Sequence, residues 1–320
     1  MPRDKTKDKI LVIKHGALGD IVQGLDAFAS LRAGNPKAYI TLMTSPGFVP
    51  LALMMPWFDD VITDPRAGSF NFLANLRIRR HLRENWSIIV DMQCSGRTRW
   101  YFSHFRRSTT RWVGTAPGCS DPLIDLSGIN NRHRMLKAAK MANGIEQTAD
   151  MGWLAAGKGG RSEYEWQVDP APHYAVLVPG CSLANPKKRW PAEYFAAVGN
   201  DLLGRGVTVY VVGTAEDRGA IDQVLADAPN VIDLCGKTNL SVLARLLCGA
   251  SYVIGNDTGP VFLAAKTGAP TLMMMGPDTD PAMSAPTGVA TSWLRASPIS
   301  GISVNAALNL LYDLGRRAAS

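Results

Sequence analysis

Residues 252–277, YVIGNDTGPVFLAAKTGAPTLMMMGP, constrain the fold of this chain more than any other stretch. The apolar run at 252–254 predicts a strand buried on both faces, and a polar turn follows it. Pro260 suits the first turn of a helix, and Gly268 is a typical helix end. Residues 271–275 then predict a second buried strand. This order of strand, loop, helix and strand indicates an α/β sheet.

The turn between the first of these strands and the helix has the features of an anion site. Asp257 or Thr258 can cap the helix, and Gly259 leaves the backbone amides accessible to a ligand. A helix N-terminus carries about half a positive charge and holds phosphate groups. Because ligands of open α/β sheets bind at the carboxyl ends of the strands, the turn predicts a phosphate or diphosphate site. A purely structural turn is the alternative.

Length and composition predict a globular protein of about two domains. The chain has 320 residues, of which 46% are hydrophobic and 19% charged. Since no apolar run reaches the roughly 18 residues of a membrane span and the polar start lacks a signal-peptide core, we expect a cytoplasmic protein. The five cysteines form no CxxC pair, so the spacing indicates neither a zinc site nor a disulfide framework.

The positive charge belongs to the first half of the chain. Residues 1–155 contain 21 Lys and Arg against 13 Asp and Glu, whereas residues 156–320 contain 13 against 14. A basic half fits nucleic acid, an anionic membrane surface or an acidic substrate, and an ordinary solvated surface explains it equally well. Residues 97–107, RTRWYFSHFRR, mix arginines with aromatics, but a helix that buries its aromatic side chains explains them more simply. Residues 49–58 allow a membrane contact but favour a core helix.

The first strand-to-helix turn places a carboxylate at the carboxyl end of a strand. Residues 9–14, KILVIK, predict the strand, HGALGD follows, and a helix is expected over residues 21–33. The spacing of Gly16 and Gly19 is not that of a GxGxxG fingerprint, which counts against a nicotinamide enzyme. Asp20 is therefore a candidate site residue, with helix capping as the alternative.

A second set of polar residues lies at the carboxyl end of the strand predicted over residues 87–92. Its members include Asp91, Gln93 and Arg97. Residues 156–172 are punctuated by glycine and proline and show no periodicity, so we place the linker between two domains there.

The second domain repeats the pattern from residue 173 onward. After a strand over residues 174–178, the turn PGCSLANPKKRWP brings Ser182 and three cations, Lys187, Lys188 and Arg189, to the same edge as the expected anion site. Cations facing a helix N-terminus suit a diphosphate. A last amphipathic helix is expected over residues 304–317.

An ordered set of motifs resembles glycosyltransferase family nine, the heptosyltransferase family of bacterial lipopolysaccharide core assembly. The resemblance covers residues 9–280. The matching segments are Gly19-Asp20, Pro179-Gly180, Lys188-Arg189-Trp190-Pro191, residues 233–246, residues 255–260 and Gly276-Pro277.

This resemblance implies a GT-B type α/β fold with two Rossmann-like parallel-sheet domains facing a cleft. Residues 1–155 would bind the acceptor and residues 173–303 the nucleotide-sugar, while the helix over 304–320 would pack back on the first domain. The implied reaction is an inverting, metal-independent sugar transfer, usually from ADP-heptose to an acidic lipid-linked saccharide. It requires no cofactor beyond the donor and no nucleic acid, and it implies a cytoplasmic protein that can sit peripherally on the inner membrane.

The resemblance also implies residue roles. Asp20 corresponds to the catalytic base, and Lys188 would stabilise the departing diphosphate. The remaining donor-side residues are Ser182, Glu216 at the ribose, Asp257, Thr258, Gly259 and Pro260; those on the acceptor side are Gly19, Gln93 and Arg97. Phe262 departs from the family, which commonly has histidine at this position.

Two other functions fit the same pattern. A nucleotide-sugar epimerase would use a similar architecture without an acceptor. A non-catalytic nucleotide-sugar-binding protein is suggested by Phe262, which cannot donate the hydrogen bond of a histidine.

Overall fold

The computed structural model describes residues 8–68, 71–155, 170–181 and 185–319. The chain forms two compact units, Met1–Ser162 and Glu163–Ser320, and each contains a six-stranded parallel sheet. The division falls inside the predicted linker, of which residues 156–169 lie outside the described residues.

The first unit alternates strands and helices. Its strands are β1 (Lys9–Ile13), β2 (Tyr39–Thr44), β3 (Asp60–Thr63), β4 (Ile88–Asp91), β5 (Arg111–Gly114) and β6 (Asp121–Pro122). Its helices are α1 (Leu18–Gln23), α2 (Leu25–Gly34), α3 (Val49–Met54), α4 (Phe72–Leu82), α5 (Gly96–Phe105), α6 (Asn131–Met141) and α7 (Gly152–Ala155).

The strand order of this sheet is β3-β2-β1-β4-β5-β6, with every pair parallel. Leu11, Val12 and Ile13 of β1 are all fully buried because helices cover both faces of a parallel sheet. The order reverses between β1 and β4, which is where doubly wound sheets bind their ligands.

In this unit the structure refines one prediction and confirms two. The helix expected over residues 21–33 is broken at Gly24, where a Cβ would lie 3.1 Å from the sulfur of Met135 on α6. Tyr101 and Phe102 of α5 are buried, which confirms that the aromatic run belongs to the core. In α3, Leu51 is also buried, as expected of a core helix.

The second unit repeats the architecture. Its strands are β7 (Tyr174–Val178), β8 (Thr208–Val211), β9 (Ile232–Asp233), β10 (Tyr252–Asn256), β11 (Thr271–Met275) and β12 (Thr291–Arg295). Its helices are α8 (Ala192–Gly204), α9 (Arg218–Asp227), α10 (Leu240–Cys248), α11 (Gly259–Thr267), α12 (Pro281–Ser284) and α13 (Val304–Ala319).

Its strand order, β12-β11-β10-β7-β8-β9, is the same as that of the first unit, with the reversal between β7 and β10. The predicted strand, turn, helix and strand of residues 252–277 are confirmed as β10, α11 and β11, and Gly268 ends α11 with a φ of +88°. The strand β12 was not foreseen, because it is an edge strand whose half-exposed residues form no buried apolar run.

Helix α13 packs on the second unit. Ala307, Leu311 and Leu314 are buried in the same core as strands β7, β8, β10 and β11. Its apolar stripe packs beside β11 and β12. The expectation that this helix also packs back on the first domain stays a prediction. Among the described residues, no helix is both long enough and apolar enough to cross a membrane.

Leu311→Ala tests this packing. We expect the substitution to lower the free energy of unfolding by about 2–5 kcal/mol, since it leaves a cavity in the core of the second unit. Urea unfolding followed by tryptophan fluorescence measures the change. The matched control Asn309→Ala lies on the exposed side of the same helix and should change it by less than about 0.5 kcal/mol. Equal effects of the two variants would contradict the packing.

Candidate functional site

In the first unit, polar side chains gather at the carboxyl ends of β1 and β4. His15 follows β1, and its backbone amide donates a hydrogen bond to Gln93 Oε1 at 3.0 Å. Gln93 follows β4, whose residue Asp91 is paired with Ile13 of β1. The two strand ends are thus joined directly at the point where the strand order reverses.

Asp20 lies in the first turn of α1 at this edge, next to Gly19. Its side chain is 42% exposed. Lys14 Nζ donates to Oδ2 at 3.2 Å, and Asn131 Nδ2 donates to Oδ1 at 3.0 Å. The helix is capped at Ala17 without a side-chain hydrogen bond, so Asp20 is not a capping residue. The carboxylate is oriented by two donors and stays open to solvent on one side.

Lys14 is the buried partner of this pair. Its side chain is 1% exposed. Burial lowers the pKa of Lys14, and the nearby positive charge of Arg134 acts in the same direction against the opposing effect of Asp20. Arg134 also donates to Asn131 Oδ1, so the two residues that hold Asp20 belong to one polar cluster.

A second buried network connects β1 to the loop after β3. His15 Nε2 lies 2.7 Å from Asp64 Oδ2, and the Tyr101 hydroxyl donates to the same oxygen at 2.7 Å. The amide of Arg66 donates to Asp64 Oδ1 at 2.8 Å. Burial raises the pKa of Asp64, but the hydrogen bonds from His15 and Tyr101 outweigh it, so the pKa is lower than its ordinary value.

Arg97 also makes hydrogen bonds to the loop after β3. Its guanidinium donates to the carbonyls of Arg66 and Ala67 at 2.8 and 3.0 Å and to the Tyr101 hydroxyl at 3.2 Å. Much of its hydrogen-bonding capacity is therefore used within the protein. Its predicted contact with an acceptor stays a prediction.

Asp91 is fully buried at the end of β4. Its Oδ1 accepts hydrogen bonds from the amides of Gln93 and Cys94, at 3.1 and 2.8 Å. Burial raises the pKa of this carboxyl group. Asp91 therefore shapes the turn that presents Gln93.

In the second unit, Asn256 organises the ends of β7 and β10. It is fully buried, its Oδ1 accepts from the amide of Trp190 at 2.9 Å, and its Nδ2 donates to the carbonyl of Pro179 at 2.8 Å. The sequence placed Asn256 in the turn, whereas it is the last residue of β10. It ties the KKRWP segment to the strand ends.

Lys188 and Asp257 form an ion pair beside the start of α11. Lys188 Nζ lies 2.5 Å from Asp257 Oδ2, and the Thr279 hydroxyl donates to the same oxygen at 2.7 Å. The Lys188 side chain is 25% exposed and that of Asp257 only 7%. An ammonium group has three protons to donate, so Lys188 can hold Asp257 and an anion together.

Glycine is required where the Lys188 turn meets β11. A Cβ on Gly276 would lie only 2.5 Å from the carbonyl oxygen of Lys187. The Gly-Pro turn after β11 therefore lets the lysine turn approach closely.

The helix start is as the sequence predicted. Thr258 is the N-cap of α11, but its side chain makes no capping hydrogen bond. The amides of Thr258 and Gly259 precede the first intrahelical hydrogen bonds, and Pro260 has no N–H. These amides can therefore meet an anion next to Lys188. Phe262 is buried in this helix with 8% exposure.

Glu216 lies in an exposed 3-10 turn, Ala215–Asp217. It lines a cavity of about 520 Å³ together with Pro179, Arg189, Trp190 and Gln223. The predicted residue Ser182 lies outside the described residues. In the described part of the chain, no three His, Cys, Asp or Glu residues are grouped to hold a metal ion.

The sequence did not reveal the residues that hydrogen-bond to Asp20. Lys14 ends the strand predicted over residues 9–14 and His15 begins the turn after it, but nothing in a linear pattern shows that this lysine is buried against Asp20. Asn131 is 111 positions away from Asp20 in the chain, so only the packing of α6 could reveal it.

The family model for glycosyltransferase family 9 (heptosyltransferase) matches residues 131–299, which is more than half of the chain. The chain belongs to this family. A curated relative of the glycosyltransferase, lipooligosaccharide heptosyltransferase 2 of Haemophilus ducreyi, is 24% identical over 82% of this chain and 81% of its own.

Two solved structures share the fold of this glycosyltransferase. The E. coli ADP-heptose lps heptosyltransferase II superposes with a TM-score of 0.78 at 18% identity, covering 98% of this chain and 100% of the other. The E. coli heptosyltransferase WaaC with ADP has a TM-score of 0.80 at 18% identity, covering 96% and 99%. The two six-stranded parallel sheets are those of GT-B heptosyltransferases.

Asp64→Asn tests the network that holds the loop after β3. An asparagine can accept fewer hydrogen bonds than a carboxylate, so we expect a loss of about 1–3 kcal/mol in the free energy of unfolding at pH 7. Because folding lowers the pKa of Asp64 below its ordinary 3.8, its stabilising effect is present above that pH and is lost as the pH falls through the folded-state value.

The difference between wild type and Asp64→Asn should therefore shrink below pH 3.8. Urea unfolding at a series of pH values measures it. Asp125→Asn, at an exposed position of the same unit, is the control. A difference between wild type and Asp64→Asn that is independent of pH would show that ionised Asp64 contributes nothing.

Proposed function

We propose that this glycosyltransferase transfers heptose from ADP-heptose to a lipopolysaccharide core or related cell-envelope acceptor, with inversion and without a metal ion. The observation that carries the proposal is that each unit holds one positioned, solvent-accessible charge where its strand order reverses: Asp20 in the first unit, and Lys188 beside a helix start in the second. The relatives support the donor and the acceptor class, since one is named an ADP-heptose lps heptosyltransferase and another was solved with ADP.

The donor diphosphate binds at the start of α11 in this proposal. Lys188 and the amides of Thr258 and Gly259 neutralise charge that grows on the diphosphate as its bond to the sugar breaks. Asp257 holds the ammonium in place, so the lysine is positioned before the donor arrives. This arrangement supplies the stabilisation that a divalent metal supplies in other enzymes.

Asp20 acts as the general base. The acceptor hydroxyl attacks the anomeric carbon from the face opposite the diphosphate and passes its proton to the Asp20 carboxylate. The new C–O bond forms while the bond to the diphosphate breaks, and ADP leaves. Lys14 donates to Oδ2 and Asn131 to Oδ1, so each carboxylate oxygen is held by one donor and keeps lone pairs for the acceptor proton.

The other predicted site residues have supporting roles. We propose that Glu216, on its exposed turn, accepts hydrogen bonds from the ribose, and that Ser182 and Pro260 line the diphosphate site. Gly19, Gln93 and Arg97 lie at the edge of the first unit, where an acidic saccharide would bind beside the basic half. A lipid-linked acceptor would place the reaction at the cytoplasmic surface of the inner membrane.

Phe262 limits the hydrogen bonds that helix α11 can offer to the donor. Its ring is packed into the protein and offers no hydrogen-bond donor, so the sugar phosphate depends on Lys188 and the backbone amides.

Asp20→Asn tests the base. We expect kcat for sugar transfer to fall by about 10²- to 10⁴-fold, because the amide cannot take the proton. The dissociation constant for ADP, measured by calorimetry, should stay unchanged. Asp125→Asn is the control at an exposed position of the same unit and should keep full activity. Transfer at the wild-type rate by Asp20→Asn would remove Asp20 from the mechanism.

Lys188→Gln tests the anion site. The loss of a charged hydrogen bond should weaken ADP binding by roughly 10- to 100-fold. The adjacent, exposed Lys187 provides a matched control as Lys187→Gln, for which we expect little change. Equal affinities of the two variants would contradict the assignment.

The same assays separate the other functions. An epimerase would convert the nucleotide-sugar without an acceptor. A binding protein would take up ADP-heptose and transfer it to no acceptor.

A further inference from the structure

Helix α4 exposes large apolar side chains to solvent. Phe72, Leu73 and Leu76 are 78%, 82% and 61% exposed, whereas Ile78 and Leu82 on the opposite side are buried. No other helix in the described part of the chain carries more than one large exposed apolar side chain. Isolated apolar side chains are normal on a surface, but a cluster of this kind marks an interaction site.

Toward its C-terminal end, the exposed face of α4 carries arginines in place of apolar side chains. Positions 72, 76, 80 and 83 are three or four residues apart, so they form one stripe along the helix. Arg80 and Arg83 extend the stripe, and Arg77 and Arg79 flank it; all four are exposed. No Asp or Glu occurs between Asp64 and Glu84.

The helix begins at the edge of the sheet that carries Asp20. It follows β3 through the loop at residues 64–68, and the carboxyl ends of parallel strands share one edge. This loop is tied to the site by the contact of Asp64 with His15 and by the bonds of Arg97 to the loop carbonyls. The apolar first turns of α4 therefore lie on the site side of the first unit.

We infer that Phe72, Leu73 and Leu76, with the flanking arginines, dock this protein on an anionic lipid bilayer. Exposed apolar side chains beside a row of arginines are complementary to a membrane interface, where the apolar groups enter the acyl boundary and the guanidinium groups meet lipid phosphates. The inference extends the proposed function, because a lipid-linked acceptor is presented at such a surface, but its test requires no sugar transfer.

The experiment is cosedimentation of the full chain with phosphatidylcholine vesicles that contain or lack phosphatidylglycerol. The wild type should bind the vesicles with phosphatidylglycerol, bind phosphatidylcholine alone weakly, and dissociate as salt is raised, since electrostatic attraction is screened. Equal binding to both vesicle types, or none to either, would overturn the inference. So would self-association through this face without lipid.

Two sets of variants assign the binding to α4. The triple variant Phe72→Ser, Leu73→Ser, Leu76→Ser should bind at least about tenfold more weakly, while Ile124→Ser with Ile145→Ser, at exposed positions outside the helix, should bind normally.

The double variant Arg80→Gln, Arg83→Gln should lose roughly 30-fold in affinity. Lys37→Gln with Lys140→Gln removes the same charge from exposed sites elsewhere in the unit and should have much less effect. Equal losses of vesicle affinity in these two double variants would show that the net charge of the protein, rather than the arginines of α4, is responsible.

The rise in melting temperature caused by ADP tests the proposed donor site separately from vesicle binding. All α4 variants should keep the wild-type thermal shift with ADP, since none of the changed residues lies at the nucleotide site. Vesicle binding without any ADP shift would leave the inference standing and refute the donor site; the opposite result would refute the inference alone.

Discussion

Each unit depends on one central strand that is hydrogen-bonded in parallel to a neighbour on either side. From this strand the chain adds further strands first toward one side of the sheet and then toward the other. β1 lies between β2 and β4, and β7 lies between β8 and β10. Where the connections diverge, the strand ends are left uncovered by the helices that bury the rest of the sheet. The backbone and polar side chains at these two points therefore have room to meet a ligand, and the predicted site residues Asp20, Asp257 and Thr258 stand there.

Charge placement at these points follows from burial. Lys14 is almost fully removed from water, so its charge is tolerated only next to a carboxylate, and that requirement holds Asp20 in place. Asp257 is likewise buried and is paired with Lys188 and Thr279. In each unit one member of the ion pair is buried and the other reaches solvent, so the exposed member is positioned by the protein core. Enzymes use such prior positioning to avoid reorganisation during the reaction.

Much of the fold could be predicted from residues alone. The strands β7, β10 and β11 are continuous apolar runs, and Gly268 ends α11 where a left-handed backbone was expected. Less regular elements were missed for physical reasons. β12 has half-exposed residues at a sheet edge, and the close approach of Met135 that favours glycine at position 24 comes from another helix. The site residues followed from strand ends and the family resemblance, but the partners of Asp20 did not.

Local periodicity and turn residues are enough to locate the strand ends and the polar residues at them, because these signals lie in neighbouring positions of the chain. The sequence also determined the family. The tertiary structure alone decided that Lys14 and Asn131 hold Asp20, that Arg97 braces the loop after β3, and that α13 packs on the second unit. It alone decided that Phe72, Leu73 and Leu76 face solvent. These facts depend on which surfaces meet over long separations in the chain, and a linear pattern contains no distances between such residues.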